Sequence, residues 1–176
     1  MNNNSQKDKI IIIIRHGEKI SDFYSDLNDR GKARAECLPI LFSEKGLKYI
    51  PTKIYANQRS EESTRAYDTI APLAKILNLE IEEFKKIEAE DFAKNKLIYD
   101  KSDIILISSS RKAIPKISKV LGHEVFVDFD EFDKYFIWKN GEFFCEGNQS
   151  DFIGKYIKEK EKKIKNINDK KFCHIY

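Results

Sequence analysis

Five isoleucines in succession, Ile10 to Ile14, form the first clear element of the chain. A β-branched run without polar alternation predicts a strand covered on both faces, and therefore a central strand of a buried sheet. The pattern returns at Asp103-Ile104-Ile105-Leu106-Ile107, which breaks into Ser108-Ser109-Ser110. Lys53-Ile54-Tyr55-Ala56 is a shorter strand, and Leu79 to Phe84 is a further candidate whose apolar residues are mixed with acids. Between these runs the apolar spacing turns helical. Ala33, Cys37, Leu38 and Leu41 share one face of a helix within Leu27 to Leu41, which Pro39 is expected to kink or break. Ser63 is placed to cap a helix from about Thr64 to Leu77, bent in turn by Pro72. Glu90 to Tyr99 and Lys112 to Leu121 predict two more helices, the second closed by Gly122. His123 to Phe129 and Lys134 to Cys145 predict strands, with Asn140-Gly141 as a type I′ hairpin turn. Asp151 to about Ile167 predicts the last helix.

Strands alternating with helices predict an α/β fold of three layers, α/β/α, around a mainly parallel sheet. One domain is expected over 1–176, with a disordered Asn-rich start at 1–8 and a tail at 168–176. Ligands of such folds bind beyond the carboxyl ends of the strands. Two segments fall there, Arg15-His16-Gly17-Glu18 and Ser108-Ser109-Ser110-Arg111.

Charge narrows the choice of partner. The 176 residues carry 32 Lys+Arg against 29 Asp+Glu, a formal charge of +3, too even a balance to announce a nucleic-acid partner. Lysines outnumber acids only from Lys155 to Lys171, where a solvated helix face is the simpler reading. Cys37, Cys145 and Cys173 form no CxxC pair and leave an odd thiol, which suits a reducing compartment and suggests no metal cage. The isoleucine run is too short to span a bilayer and residues 1 to 9 hold no apolar signal-peptide core. A cytoplasmic protein without membrane partner, metal or cofactor is expected.

Arg15-His16-Gly17 leaves a buried strand as a cation, an imidazole and a flexible residue. An arginine fork binds two phosphate oxygens, a histidine attacks phosphorus or carries a proton, and a glycine lets the backbone approach a ligand. Taken alone, the same residues also read as the point where a strand reaches water. Arg65, in the first turn of a helix that follows a strand, adds a second cation, although helical spacing also lets it pair with Glu61, Glu62 or Asp68. Arg59 either substitutes for Arg65 or faces solvent, and solvent is favoured.

Together, Arg15-His16-Gly17-Glu18 and Arg65-Ala66-Tyr67-Asp68-Thr69 resemble the histidine phosphatase superfamily, the phosphoglycerate-mutase-like proteins, in which an RHG strand end is followed by a helix opening on Arg-Ala-x-x-Thr. Leu27-Asn28-Asp29-Arg30-Gly31-Lys32-Ala33 is similar to the family's first helix, and Ile114-Pro115-Lys116-Ile117 followed by Leu121-Gly122 to the helix after its second catalytic strand in one sub-group. The resemblance implies the phosphoglycerate-mutase-like fold and a phosphatase. His16 would be the nucleophile that forms a phosphohistidine, and Arg15 and Arg65 would clamp the phosphate. The ligand would be a phosphorylated small molecule or a phosphoprotein.

The chain departs from the family at the second histidine, expected just before Ile114-Pro115. Counting back, that place falls on Arg111, or on Ser110 if the loop shifts by one. Either Arg111 joins the pocket as a third cation, helped by the Ser109 and Ser110 hydroxyls, or the domain is a pseudoenzyme that binds phosphate without turnover. Arginine cannot act as an acid or base near neutral pH. A proton for the leaving group would come from Glu88, Glu90 or Asp91, with Glu88 ranked first. Glu18 either orients His16 or pairs with Lys19 or Arg15.

Overall fold

A computed structural model describes residues 8–21 and 23–172. The first strand, β1 (Ile10–Arg15), is buried along its whole length. Helix α1 (Asp29–Leu41), strand β2 (Lys53–Asn57), helix α2 (Arg65–Leu77) and strand β3 (Ile81–Phe84) follow. Then come α3 (Ala89–Asn95), β4 (Ile104–Ser109), α4 (Ile114–Val120), the hairpin β5 (Lys134–Lys139) and β6 (Glu142–Asn148), and the long α5 (Ser150–Phe172).

One sheet contains all six strands, in the order β3-β2-β4-β1-β5-β6. Strands β1 to β4 are parallel to their neighbours in this set, and the β5–β6 hairpin adds antiparallel at the far side. Because side chains alternate across a strand, the isoleucine run feeds both layers. Ile10, Ile12 and Ile14 pack with Leu38, Leu41, Ile70, Leu73, Ile153 and Ile157 under α1, α2 and α5. Ile11 and Ile13 pack with Phe92, Leu97, Ile114, Ile117 and Trp138 on the side of α3 and α4. Burial of each such side chain contributes about 1.5–3 kcal/mol, so β1 anchors both halves of the core. At the hairpin tip Asn140 (φ 53°) and Gly141 (φ 85°) adopt the left-handed conformations of a type I′ turn, as the Asn-Gly pair demands.

Several elements differ from the sequence pattern. Of the two outcomes expected at Pro39, a break is excluded, since α1 continues through it, as α2 does through Pro72. Thr64, not Ser63, precedes the first turn of α2, and neither it nor Ser63 caps that turn through its side chain. No strand forms over His123 to Phe129. Val125 and Val127 are buried alternately, as in a strand, but both sides of β1 are taken by β4 and β5. The Val125 N–H bonds the Ser118 hydroxyl instead. Helix α5 runs on to Phe172, beyond Ile167; Ile164 packs against the core and the Asn168 amide donates to Asp29 at the start of α1. The start at 1–7 and the segment 173–176, with Cys173 and His174, lie outside the described residues. Among the described residues, no helix is long and apolar enough to cross a membrane.

Candidate functional site

Strands β1, β4 and β2 end side by side, and the candidate site lies beyond their carboxyl ends. Register puts Arg15 beside Ser109, and Ala56 beside Ser108, so Arg15, Ser109 and Asn57 form one row on the α3–α4 face. His16 follows on the opposite side, its backbone N–H held by the Ser109 carbonyl. The chain then passes Gly17 and Glu18 and crosses the start of α1. A Cβ on Gly17 would lie 3.1 Å from the Gly31 Cα, and one on Gly31 would collide with the Glu18 carbonyl. These two glycines let the loop and α1 touch backbone to backbone.

Thr69 explains the Arg-Ala-x-x-Thr spacing. One turn after Arg65, its hydroxyl donates to the Arg65 carbonyl at 2.7 Å and accepts the Gly17 N–H at 2.8 Å. That fully buried hydroxyl fastens the start of α2, and with it Arg65, to the loop that carries His16. The Arg65 guanidinium bonds the Ser63 hydroxyl and the carbonyls of Ser21 and Tyr24. It therefore also ties down the loop between β1 and α1.

His16 is 7% exposed. Its Nδ1 lies 2.8 Å from the Gly17 carbonyl, which can only accept, so Nδ1 carries the proton and Nε2 keeps its lone pair. Burial lowers the pKa to about 4; the Gly17 carbonyl opposes that shift, and the charges of Arg15, Arg65 and Lys19 reinforce it. The ring is a neutral base at pH 7.

Arg15 is buried, with Nη1 bonded to the carbonyls of Asp128, Phe129 and Glu131 at 2.8–2.9 Å. Its guanidinium stacks on Phe132 at 3.9 Å. Burial, together with the charges of Arg111 and Arg65, brings its pKa down to about 10, so it stays charged at neutral pH. Arg111 thus stands in electrostatic reach of Arg15, over the Phe129 ring at 5.7 Å. It is Ser110, however, that lines the cleft with His16.

That cleft has a volume of about 300 Å³ and is bounded by His16, Asn57, Ser110, Arg65, Arg59 and Lys86 among others. Four buried polar atoms at this end of the sheet, Arg15 Nε, Asn57 Nδ2, Ser108 Oγ and Ser110 Oγ, have no hydrogen-bond partner among the described residues, and of these residues Asn57 and Ser110 line the cleft. A larger, mostly apolar depression of about 450 Å³ between α1, α2 and α5 contains none of these groups. We place the site at the smaller cleft, because His16 and two of the unsatisfied groups, those of Asn57 and Ser110, line it.

Of the residues singled out in the sequence, the fold brings together His16, Arg65 and Ser110 in one cleft, with Arg15 and Arg111 beside it. Glu88 is not on its wall: it pairs with exposed Lys85 and faces a neighbouring depression with Asp91. The carboxylate on the wall is Glu62. Arg59 is exposed, as the sequence reading favoured, and also borders the cleft, fixed by Glu83 at 2.5 Å and stacked on Tyr67 at 3.8 Å. Glu18 pairs neither with His16 nor with Lys19 or Arg15. It takes two hydrogen bonds from buried Arg34 and one from Arg30, and Arg34 continues to Asp133 and Gln149. Burial opposes the Glu18 charge, but Arg34 and Arg30 outweigh it and hold the carboxyl below its ordinary range. Asn57 directly follows the predicted strand Lys53 to Ala56, but it carries no charge and belongs to no motif that would mark it in the sequence.

No protein-family model and no curated protein matches the sequence. Solved structures do. A candidate alpha-ribazole-5'-phosphate phosphatase of Escherichia coli superposes with a TM-score of 0.57 at 14% identity, over 77% of this chain and 93% of its own. A phosphoglycerate mutase of Bacillus anthracis gives 0.52 at 12% identity, over 88% and 97%. A candidate phosphohistidine phosphatase SixA of Agrobacterium tumefaciens gives 0.53 at 12%, over 79% and 97%. The chain has the phosphoglycerate-mutase-like fold of the histidine phosphatases.

Proposed function

We propose that this domain is a histidine phosphatase, a phosphoric monoester hydrolase that works through a phosphohistidine on His16, with weak or altered activity. The observation that carries the reading is the His16 ring itself. Held through Nδ1, neutral and facing a cleft that holds Arg65, it has the lone pair an attack on phosphorus needs. The structural relatives named above as phosphatases and as a mutase act, by those names, on phosphate esters or phosphohistidine.

In the first step His16 Nε2 bonds to phosphorus, the bond from phosphorus to the leaving atom breaks, an ester oxygen or, in phosphohistidine, a ring nitrogen, and that atom takes a proton from water or a carboxylic acid of the cleft. Water then attacks phosphorus, the N–P bond breaks, and neutral His16 and inorganic phosphate are left. Charge on the equatorial oxygens is balanced by the cations around the cleft, Arg65 directly and buried Arg15 through its field. The substrate is a phosphomonoester or phosphohistidine, on a small molecule or a phosphoprotein.

A second reading, a pseudophosphatase that binds phosphate or a phosphorylated partner, is favoured by one observation. Ser110 and Arg111 occupy the segment expected to hold a second histidine, and neither transfers protons near neutral pH. The other described histidine, His123, stacks on Phe143 at 4.0 Å, at the opposite end of the sheet. Purified protein assayed on an aryl phosphate beside His16→Ala separates the readings. Release above the variant's background supports the hydrolase. Release no greater than that background, with phosphate still raising the melting temperature, supports the binding module.

A further inference from the structure

Asn57 is the last residue of β2 and 7% exposed. Its Oδ1 accepts the Ser109 hydroxyl at 3.0 Å and the Ser110 N–H at 2.8 Å. A backbone N–H can only donate, so that atom is the carbonyl oxygen and the amide orientation is fixed. The Nδ2 is left over: a buried NH₂ group with no acceptor among the described residues. Ser110 Oγ, on the same wall, is in the same condition. Buried polar groups are almost always satisfied, so such a pair calls for something to complete it.

The amide nitrogen has no lone pair to offer, so whatever completes it must present an acceptor oxygen. Arg59 and Lys85 on the same cleft are paired with Glu83 and Glu88, but Arg65 and Lys86 still outnumber Glu62 on its wall and select an anionic one. We propose that Asn57 is a ligand of the phosphoryl group, its Nδ2 donating to an equatorial oxygen beside the Ser110 hydroxyl while His16 faces phosphorus. This rests on the reading of the cleft as a phosphoryl site and adds to it a neutral donor at the end of β2. Near neutral pH a neutral amide and a hydroxyl neither take a proton from His16 nor give it one. They hold the anion without changing the protonation of the nucleophile.

Asn57→Asp and Ser109→Ala separate this role from a structural one. The aspartate keeps the acceptor for Ser109 and Ser110 and replaces only the donor, whereas Ser109→Ala removes a partner of Oδ1 and leaves the donor alone. Titration calorimetry of the full chain with inorganic phosphate is expected to show binding weakened about tenfold to a hundredfold in Asn57→Asp, and less than about threefold in Ser109→Ala. Asn57→Ser, which adds no charge, is expected to lose about tenfold and stands in if the aspartate variant does not fold. In the wild type, the Asn57 side-chain amide protons, assigned by their absence in either variant, are expected to shift as phosphate is added. Unchanged affinity in both Asn57 variants, unmoved amide protons, or no phosphate binding by the wild type overturns the proposal. Turnover is read separately. Unchanged phosphate affinity with His16-dependent hydrolysis removes Asn57 from the site and leaves the hydrolase. Affinity lost in the variants without any hydrolysis keeps Asn57 and removes the hydrolase.

Discussion

His16 donates from Nδ1 to the carbonyl of Gly17, its own neighbour in the chain, at 2.8 Å. A bond this local survives movement of the helices around it, so the ring tautomer is set by the strand end and not by a distant partner. Nitrogen-detected NMR is expected to find one His16 species at pH 7, protonated on Nδ1 and bare on Nε2. A ring protonated on Nε2 would remove the nucleophile.

The depressed pKa of His16 has a kinetic and a thermodynamic consequence. Since the neutral ring is the reactive one, the acid limb of kcat/KM is expected near pH 4, well below the ordinary histidine value of 6.5. Between pH 6.5 and 4 the unfolded chain takes up a proton that the folded chain refuses. His16 therefore stabilises the fold fully above pH 6.5, and that contribution is lost as the pH falls to about 4, a swing of about 3 kcal/mol. Urea unfolding at pH 7 and pH 4 measures it, and His16→Gln is expected to show a swing smaller by that amount.

Glu62 is the carboxylate on the cleft wall, and Glu88 stands outside it with Lys85. An exposed acid protonates a leaving group less effectively than a buried one with a raised pKa. Activity is therefore expected to fall steeply from aryl to alkyl phosphates. Glu62→Gln is expected to slow alkyl phosphates about a hundredfold while changing aryl phosphates little. Glu88→Gln, compared on the same two substrates, decides between the carboxylates: the same selective loss there would return the role to Glu88.

Buried Arg34 joins Glu18 of the His16 loop to Asp133 and Gln149 at the start of α5. Arg34→Met leaves the buried Glu18 and half-buried Asp133 short of a partner, and is expected to cost about 3–5 kcal/mol. Chemical denaturation checks the value. A loss below about 1 kcal/mol would show the network to be no more than a surface ion pair.

The sheet and most helices were legible because their signals are local. Ile10–Ile14 has one reasonable reading, and Asn140-Gly141 fits only one kind of hairpin. Pro39 and Pro72 do not end their helices: each removes only its own N–H bond to the carbonyl four residues back, while Leu38 and Leu41 of α1 and Ile70 and Leu73 of α2 hold both sides on the core. His123–Phe129 misled because Val125 and Val127 alternate as in a strand while the sheet has no place for one beside β1. At the site, Arg15, His16, Arg65 and Ser110 were visible as types at strand and helix ends. Asn57, Glu62 and Lys86 were not, since nothing in their sequence neighbours says which side chains three separate segments will bring to one cleft. The role of Glu18 was hidden for the same reason: Arg34, its partner, lies on α1.

The phosphoryl group on His16 is the claim on which the rest depends. Wild-type protein mixed with an aryl phosphate and quenched within the first turnovers in alkali, where phosphoramidates survive, is expected to carry one phosphate on His16 Nε2, located by mass spectrometry. His16→Ala is expected to carry none. Aryl phosphate hydrolysis that is unchanged in His16→Ala, or a phosphoenzyme mapped to any other residue, would contradict the account.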